Sequence, residues 1–153
     1  NSRAMLERCK ANMARDHSAA SYELLLEDLQ TTSIDNASMV VLNFTLQFIP
    51  DKDRLHLLKR IADGMLPGAV LLLAEKVRFD SIPENNLMAD LHHDFKRYQG
   101  YSDLEIAQKR AALENVLVPN TSAEHIERLS SAGFSSQQKC VRCLNFEAFL
   151  AIR

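Results

Sequence analysis

The succession of apolar strand, amphipathic helix and apolar strand in the first half of this chain limits its fold more than any other feature. The run Ser38-Met39-Val40-Val41-Leu42 reaches a polar break at Asn43. It is too short and too continuous for an amphipathic helix, and reads as a strand over 39–43 buried on both faces, as in a parallel sheet. A similar run over 22–26, rich in leucine, ends in Glu27-Asp28 and carries the same expectation. After Pro50-Asp51-Lys52-Asp53, a turn and helix start, apolar residues recur at Leu55, Leu57, Leu58, Ile61 and Met65. Leu66-Pro67-Gly68 should stop that helix, and Ala69 opens a third buried strand over 69–73 that ends at Glu75-Lys76. Strand, helix and strand in alternation imply a parallel sheet with right-handed crossovers. Ligands of such sheets sit beyond the carboxyl ends of the strands, so Asp28 and Asn43 are candidate site residues of a nucleotide-type pocket.

The remaining segments fit around this unit. Met5, Leu6, Cys9 and Met13 share one face of a helix over 3–15, with Ser2 as a cap. The stretch at about 83–119 is charged and mostly helical and departs from the alternation, so it reads as an insertion suited to substrate contacts. A last helix over 122–132, capped by Ser122 and closed by Gly133, precedes strands over 138–145 and 149–152. A short connection around Glu147 makes these an antiparallel hairpin. No repeat or linker interrupts the chain, which reads as one partial domain over 1–153.

Composition narrows the classes. The 153 residues are 46% hydrophobic and 25% charged, within the range of a globular domain. A net charge of -2 gives no global footprint for nucleic acid. Three cysteines without dense spacing suit a reducing cytoplasm rather than a disulfide scaffold. Cys140 and Cys143 stand three apart in an alternating segment, so they read as strand residues and not as half of a metal site. No run approaches the roughly 20 apolar residues of a membrane span. The expectation is therefore a cytoplasmic protein that binds no metal, no membrane and no nucleic acid directly.

Specific motifs go further than architecture. They are Asn36-Ala37-Ser38-Met39-Val40-Val41-Leu42-Asn43-Phe44-Thr45-Leu46-Gln47-Phe48, His92-His93-Asp94-Phe95-Lys96-Arg97, Gly100-Tyr101-Ser102-Asp103-Leu104-Glu105-Ile106-Ala107-Gln108-Lys109-Arg110 and Leu113-Glu114-Asn115-Val116. Together they closely resemble the carboxy-S-adenosylmethionine synthases, over essentially the whole chain. The resemblance implies an α/β fold: the C-terminal part of a Rossmann-like S-adenosylmethionine-dependent methyltransferase, its parallel sheet ending in an antiparallel hairpin. It also implies that S-adenosylmethionine is carboxylated on its methyl group at the expense of prephenate, releasing phenylpyruvate, for later carboxymethylation of a tRNA wobble uridine. A homodimer is implied, and the glycine-rich loop and ribose-binding acid of the family are expected before Asn1.

Carried over by position, the resemblance implies that Asn1 follows the ribose-binding acid, that Asp28 and Leu29 lie beside the adenine, and that Asn43 faces the methionine portion. Arg110 would hold the added carboxylate, a task suited to its bidentate fork. Read without the resemblance, Asp28 and Asn43 would be local caps, and Arg110 an exposed ion-pair residue. His92 and His93 are adjacent on a helix, diverge, and read as packing or hydrogen-bonding residues. Two alternatives accompany the enzyme reading: an ordinary S-adenosylmethionine-dependent methyltransferase, and a non-catalytic fragment that pairs with an intact subunit.

Overall fold

The computed structural model describes residues 2–15, 20–114 and 116–153. Two compact units divide the chain, Asn1–Ser33 and Ile34–Arg153. In the first, helix α1 (Arg3–Met13) starts at Ser2, whose hydroxyl accepts the Met5 N–H at 3.4 Å. The strand expected over 22–26 does not form: these residues belong to no strand or helix, and Tyr22, Leu25 and Leu26 are exposed. An apolar run becomes a strand only where another strand takes up its backbone hydrogen bonds, and the described part of this unit offers none.

The second unit is built on strands β1 (Ala37–Asn43), β2 (Met65–Lys76), β3 (Ser136–Cys143) and β4 (Phe146–Ile152), in the spatial order β1-β2-β4-β3. β1 and β2 are parallel, joined through helix α2 (Asp51–Gly64), and β4 lies antiparallel to both β2 and β3. Of the three parallel strands expected, two form, and they are followed by the expected antiparallel hairpin, so the α/β class stands. Burial alternates along β2 and β4 rather than being continuous, and of β1 only Leu42 is fully buried. The core is therefore one-sided: Leu57, Leu58 and Ile61 of α2 and Leu129 of helix α5 (Ser122–Ser131) are buried with Leu71, Leu73, Phe149 and Ala151 of the sheet. Met39 and Val41 stay exposed on β1, an edge strand among the described residues.

Several boundaries moved for physical reasons. α2 stops at Gly64, before Leu66-Pro67-Gly68, which instead begins β2. A Cβ on Gly64 would fall inside the Ile34 carbonyl, so only glycine permits that approach. Pro67 is tolerated because the ladder is irregular there, its register changing between Ala37 and Met39. Thr121 rather than Ser122 caps α5, forming a capping box with Glu124. The hairpin turns at Leu144-Asn145, with Leu144 at φ 53°, and Glu147 lies buried inside β4.

Between β2 and α5 stand helices α3 (Ile82–Tyr98) and α4 (Asp103–Leu113), the expected insertion. Ser81 and Ser102 cap them, the second through a full capping box with Glu105. Gly100 at φ +92° reverses the chain between them, with the Tyr101 N–H returning to the Lys96 carbonyl at 3.1 Å. Arg97 fastens the corner, bonding Asp94 at 2.7 Å and Asp103 at 2.8 Å.

A cationic cavity at the carboxyl ends of the parallel strands

Beyond the carboxyl ends of β1 and β2 lies a cavity of about 510 Å³, built entirely by the second unit. The chain leaving β1 supplies Phe44, Gln47 and Phe48; Lys76 ends β2; His92 and Lys96 come from α3; Lys109, Arg110 and Leu113 come from α4; and Phe146 opens β4. His92 and Lys96 are four residues apart, as are Lys109 and Leu113, so each helix turns one face to the cavity.

A buried carboxylate shapes the wall after β1. Glu75, fully buried, accepts the N–H groups of Thr45 at 3.1 Å, Leu46 at 2.8 Å and Gln47 at 3.1 Å. It thereby satisfies the free donors of the short 3₁₀ turn Leu46–Phe48. Burial pushes the Glu75 carboxyl upward, against these three bonds and the Arg54 guanidinium, which favour its charged form. The Gln47 side chain in turn accepts the Lys76 N–H at 3.0 Å. Phe44 makes the bend itself at φ 51°, a conformation an aromatic residue rarely adopts. Its N–H is held by the Ala74 carbonyl at 2.8 Å, and its ring stands edge-on to Phe146 at 5.6 Å.

A second buried group braces the same segment from α2. Arg54 is wholly buried and donates to the carbonyls of Ile49 at 2.8 Å, Gln47 at 3.2 Å and Val118 at 2.9 Å, and to the Asn120 side chain. Asp51 lies 3.5 Å from the same guanidinium. The Gln47 segment and residues 118–120 are thus tied to α2 by one side chain. Sequence reading overlooked both Glu75 and Arg54, which are indistinguishable from surface charges until burial is known.

The cavity is net positive: Lys76, Lys96, Lys109 and Arg110 line it against one carboxylate, Glu114. Burial lowers the Lys76 ammonium, and Lys96 and Arg110 lower it further; Lys96 is lowered by burial and by Lys109. Burial and the neighbouring lysines depress His92 to about 4, leaving it neutral near pH 7. Its ring packs edge-on against Phe146 at 5.0 Å, so it lines the cavity although sequence reading set it outside the site.

The sequence-predicted site residues are distributed unevenly. Arg110 lines the cavity; Asn43 ends β1, exposed, one residue before the lining Phe44. Asp28 and Leu29 belong to the first unit, where Asp28 organises a turn: its side chain accepts the Gln30 N–H at 2.9 Å and its carbonyl those of Thr31 and Thr32. Asn1 lies outside the described residues. Among the described residues, no cluster of three or more metal-ligating side chains occurs, and no helix is long and apolar enough to cross a membrane.

Comparison with known proteins matches this geometry to a family. The carboxy-S-adenosyl-L-methionine synthase of Hahella chejuensis (strain KCTC 2396) is 56% identical over 153 residues, 100% of this chain and 62% of that protein. The synthase of Marinobacter nauticus (strain ATCC 700491 / DSM 11845 / VT8) is 52% identical over the same span, 61% of its length. Over its whole length the chain is similar to the carboxy-S-adenosyl-L-methionine synthases. It spans about three-fifths of the length of these relatives. No family model matches the chain. Among solved structures, the mitomycin 7-O-methyltransferase MmcR has a TM-score of 0.64 at 16% identity, covering 99% of this chain and 40% of that one. The S-adenosylmethionine-dependent methyltransferase SibL in its apo form also scores 0.64, at 17% identity, covering 99% and 41%. These distant likenesses concern fold alone: the chain has the architecture of part of a methyltransferase.

Proposed function

We propose that this chain carries the carboxyl-handling part of a carboxy-S-adenosyl-L-methionine synthase, an enzyme that converts S-adenosylmethionine and prephenate to carboxy-S-adenosylmethionine and phenylpyruvate. The observation that carries the reading is the convergence of Lys76, Lys96, Lys109 and Arg110 on one cavity at the carboxyl ends of the parallel strands. Simple methyl transfer from a sulfonium gains nothing from four cations, whereas a carboxylate donor and a carboxylated product do.

The residues suit the chemistry step by step. Arg110 offers a planar fork for the new carboxylate. Prephenate loses its ring carboxyl as a CO₂ unit while its ring expels hydroxide and becomes aromatic. The hydroxide takes a proton from the sulfonium methyl, giving water and an ylide, and the ylide carbon bonds to the CO₂ carbon. Each bond broken is thus matched by one formed, and no external oxidant or base is required. A positive cavity favours this proton loss, because the cationic sulfonium becomes a net-neutral ylide. The aromatic wall of Phe44, Phe146 and neutral His92 suits the donor's ring and limits competing water.

Asn43 would meet the methionine portion, and Asp28, Leu29 and Asn1 the adenosine. The product would then serve a partner enzyme that carboxymethylates tRNA wobble uridine. The working form is read as a cytoplasmic homodimer, without direct contact to nucleic acid. The test is mass spectrometry of small molecules after incubation with S-adenosylmethionine and prephenate, using the chain as it stands and completed to the length of its relatives. Carboxy-S-adenosylmethionine with accompanying phenylpyruvate is the expected product, lost in Arg110→Ala. Methylation of an acceptor without any need for prephenate would overturn the reading.

A further inference from the structure

The cavity holds more positive charge than one carboxylate can neutralise. Among the described residues no carboxylate lies within 4.0 Å of the charged atoms of Lys76, Lys96, Lys109 or Arg110, whereas Arg78, Arg97, Arg128 and Arg142 all have carboxylate partners. The cations also stand on three different elements: Lys76 at the end of β2, Lys96 on α3, Lys109 and Arg110 on α4. Folding thus gathers like charges at a cost that an anionic ligand offsets. With Arg110 assigned to the carboxyl that is transferred, three ammonium groups remain.

The donor's two carboxylates have different fates: one ends on the sulfonium carbon, the other leaves with the aromatic product. We propose that Lys76 and Lys96, supported by Lys109, bind the carboxylate that the donor keeps, and so select a dicarboxylate over a monocarboxylate. This assignment rests on the synthase reading of the cavity. Lys76 ends β2 and Lys96 stands on α3, and both line the cavity, so the pair offers an anion charge from two elements. The Phe44–Phe146 edge contact, 5.6 Å between centroids, and the His92 ring beside it supply the apolar wall for the ring that joins the two carboxylates. Lys76 is held in register by its own backbone bond to Gln47, whose segment hangs on Glu75.

Lysines on the retained carboxylate and lysines on the transferred one differ in what they do to product binding. The aromatic product retains only the second carboxylate, so substrate and product binding should weaken together when the lysines are changed. The experiment uses the chain completed to the length of its relatives, as wild type, Lys76→Gln, Lys96→Gln and Lys52→Gln, the last an exposed lysine of α2 outside the cavity. Turnover is measured against prephenate and against S-adenosylmethionine, and phenylpyruvate binding by calorimetry without turnover. Lys76→Gln and Lys96→Gln should raise the KM for prephenate and the Kd for phenylpyruvate by about tenfold each, the loss of one charge-assisted bond. The KM for S-adenosylmethionine should not change, and Lys52→Gln should match wild type. A higher prephenate KM with unaltered phenylpyruvate binding would overturn the assignment, placing these lysines on the transferred carboxyl. Unaltered values for both ligands in both variants would also overturn it. Absence of carboxylated product from wild type would reject the synthase reading itself, while the phenylpyruvate titrations still decide the subsite. The two lysines lie on different elements, so a folding defect in one variant, seen by circular dichroism, leaves the other to decide.

Discussion

Single buried polar groups set the form of this cavity. Glu75 holds three consecutive N–H groups, and replacing it by Gln turns one acceptor into a donor facing another donor. Such a change should cost about 1–3 kcal/mol, read from urea denaturation. Arg54 carries the larger consequence, since its removal takes a donor from the carbonyls of Ile49 and Val118 and leaves Gln47 only the Val118 N–H. Arg54→Ala should destabilise by about 3–5 kcal/mol, and lysine, a point charge without the fork, should not restore the loss. His125 behaves differently: it is 2% exposed, both ring nitrogens lack partners among the described residues, and burial lowers its pKa to about 4. Its folded value lies below the unfolded one, so the unfolded chain binds the extra proton first and stability falls as pH drops from about 6.5 towards 4. The penalty is on the order of 3 kcal/mol when complete, and His125→Phe should remove that share of the acid sensitivity in melts at pH 7 and pH 5. His92, lowered in the same direction, should retain its own share in that variant.

At the scale of elements, two details position the helices. Gly64 lets the end of α2 meet the Ile34 carbonyl, so Gly64→Ala must move backbone and should cost about 1–3 kcal/mol in denaturation. The Ser102–Glu105 capping box fixes the start of α4, the helix that carries Lys109 and Arg110. Ser102→Ala should cost about 1 kcal/mol and raise hydrogen exchange first in the opening turn of α4. Element type was legible wherever the pattern ran long: the helix after Pro50, the helix after Thr121, the strand ending at Asn43 and the two-helix insertion all formed. The run over 22–26 failed as a strand because its four apolar residues, interrupted by Glu23, specify burial but not a pairing partner. The hairpin turn was displaced towards Leu144 because a leucine at positive φ carries no turn signature, and Glu147 looked like a loop residue until β4 buried it.

For the whole molecule, charge is distributed against its average. A chain of net charge -2 concentrates three lysines and an arginine, against the single carboxylate Glu114, on one cavity, so the site has the opposite sign to the chain. Binding of a dianionic donor should therefore weaken steadily as salt is raised from low to physiological ionic strength, measurable by titration. The amino-acid sequence by itself determined the α/β alternation, the helical insertion and, through its long motifs, the family resemblance, because periodicity and motif are local properties of the chain. It marked Arg110 and Asn43 on the same grounds. Only the tertiary structure decided that Lys76, Lys96 and Lys109 join Arg110, that His92 packs into their cavity, and that Glu75 and Arg54 are buried. Those facts depend on which distant elements meet, and a charged residue carries the same letter whether it faces water or supports a site.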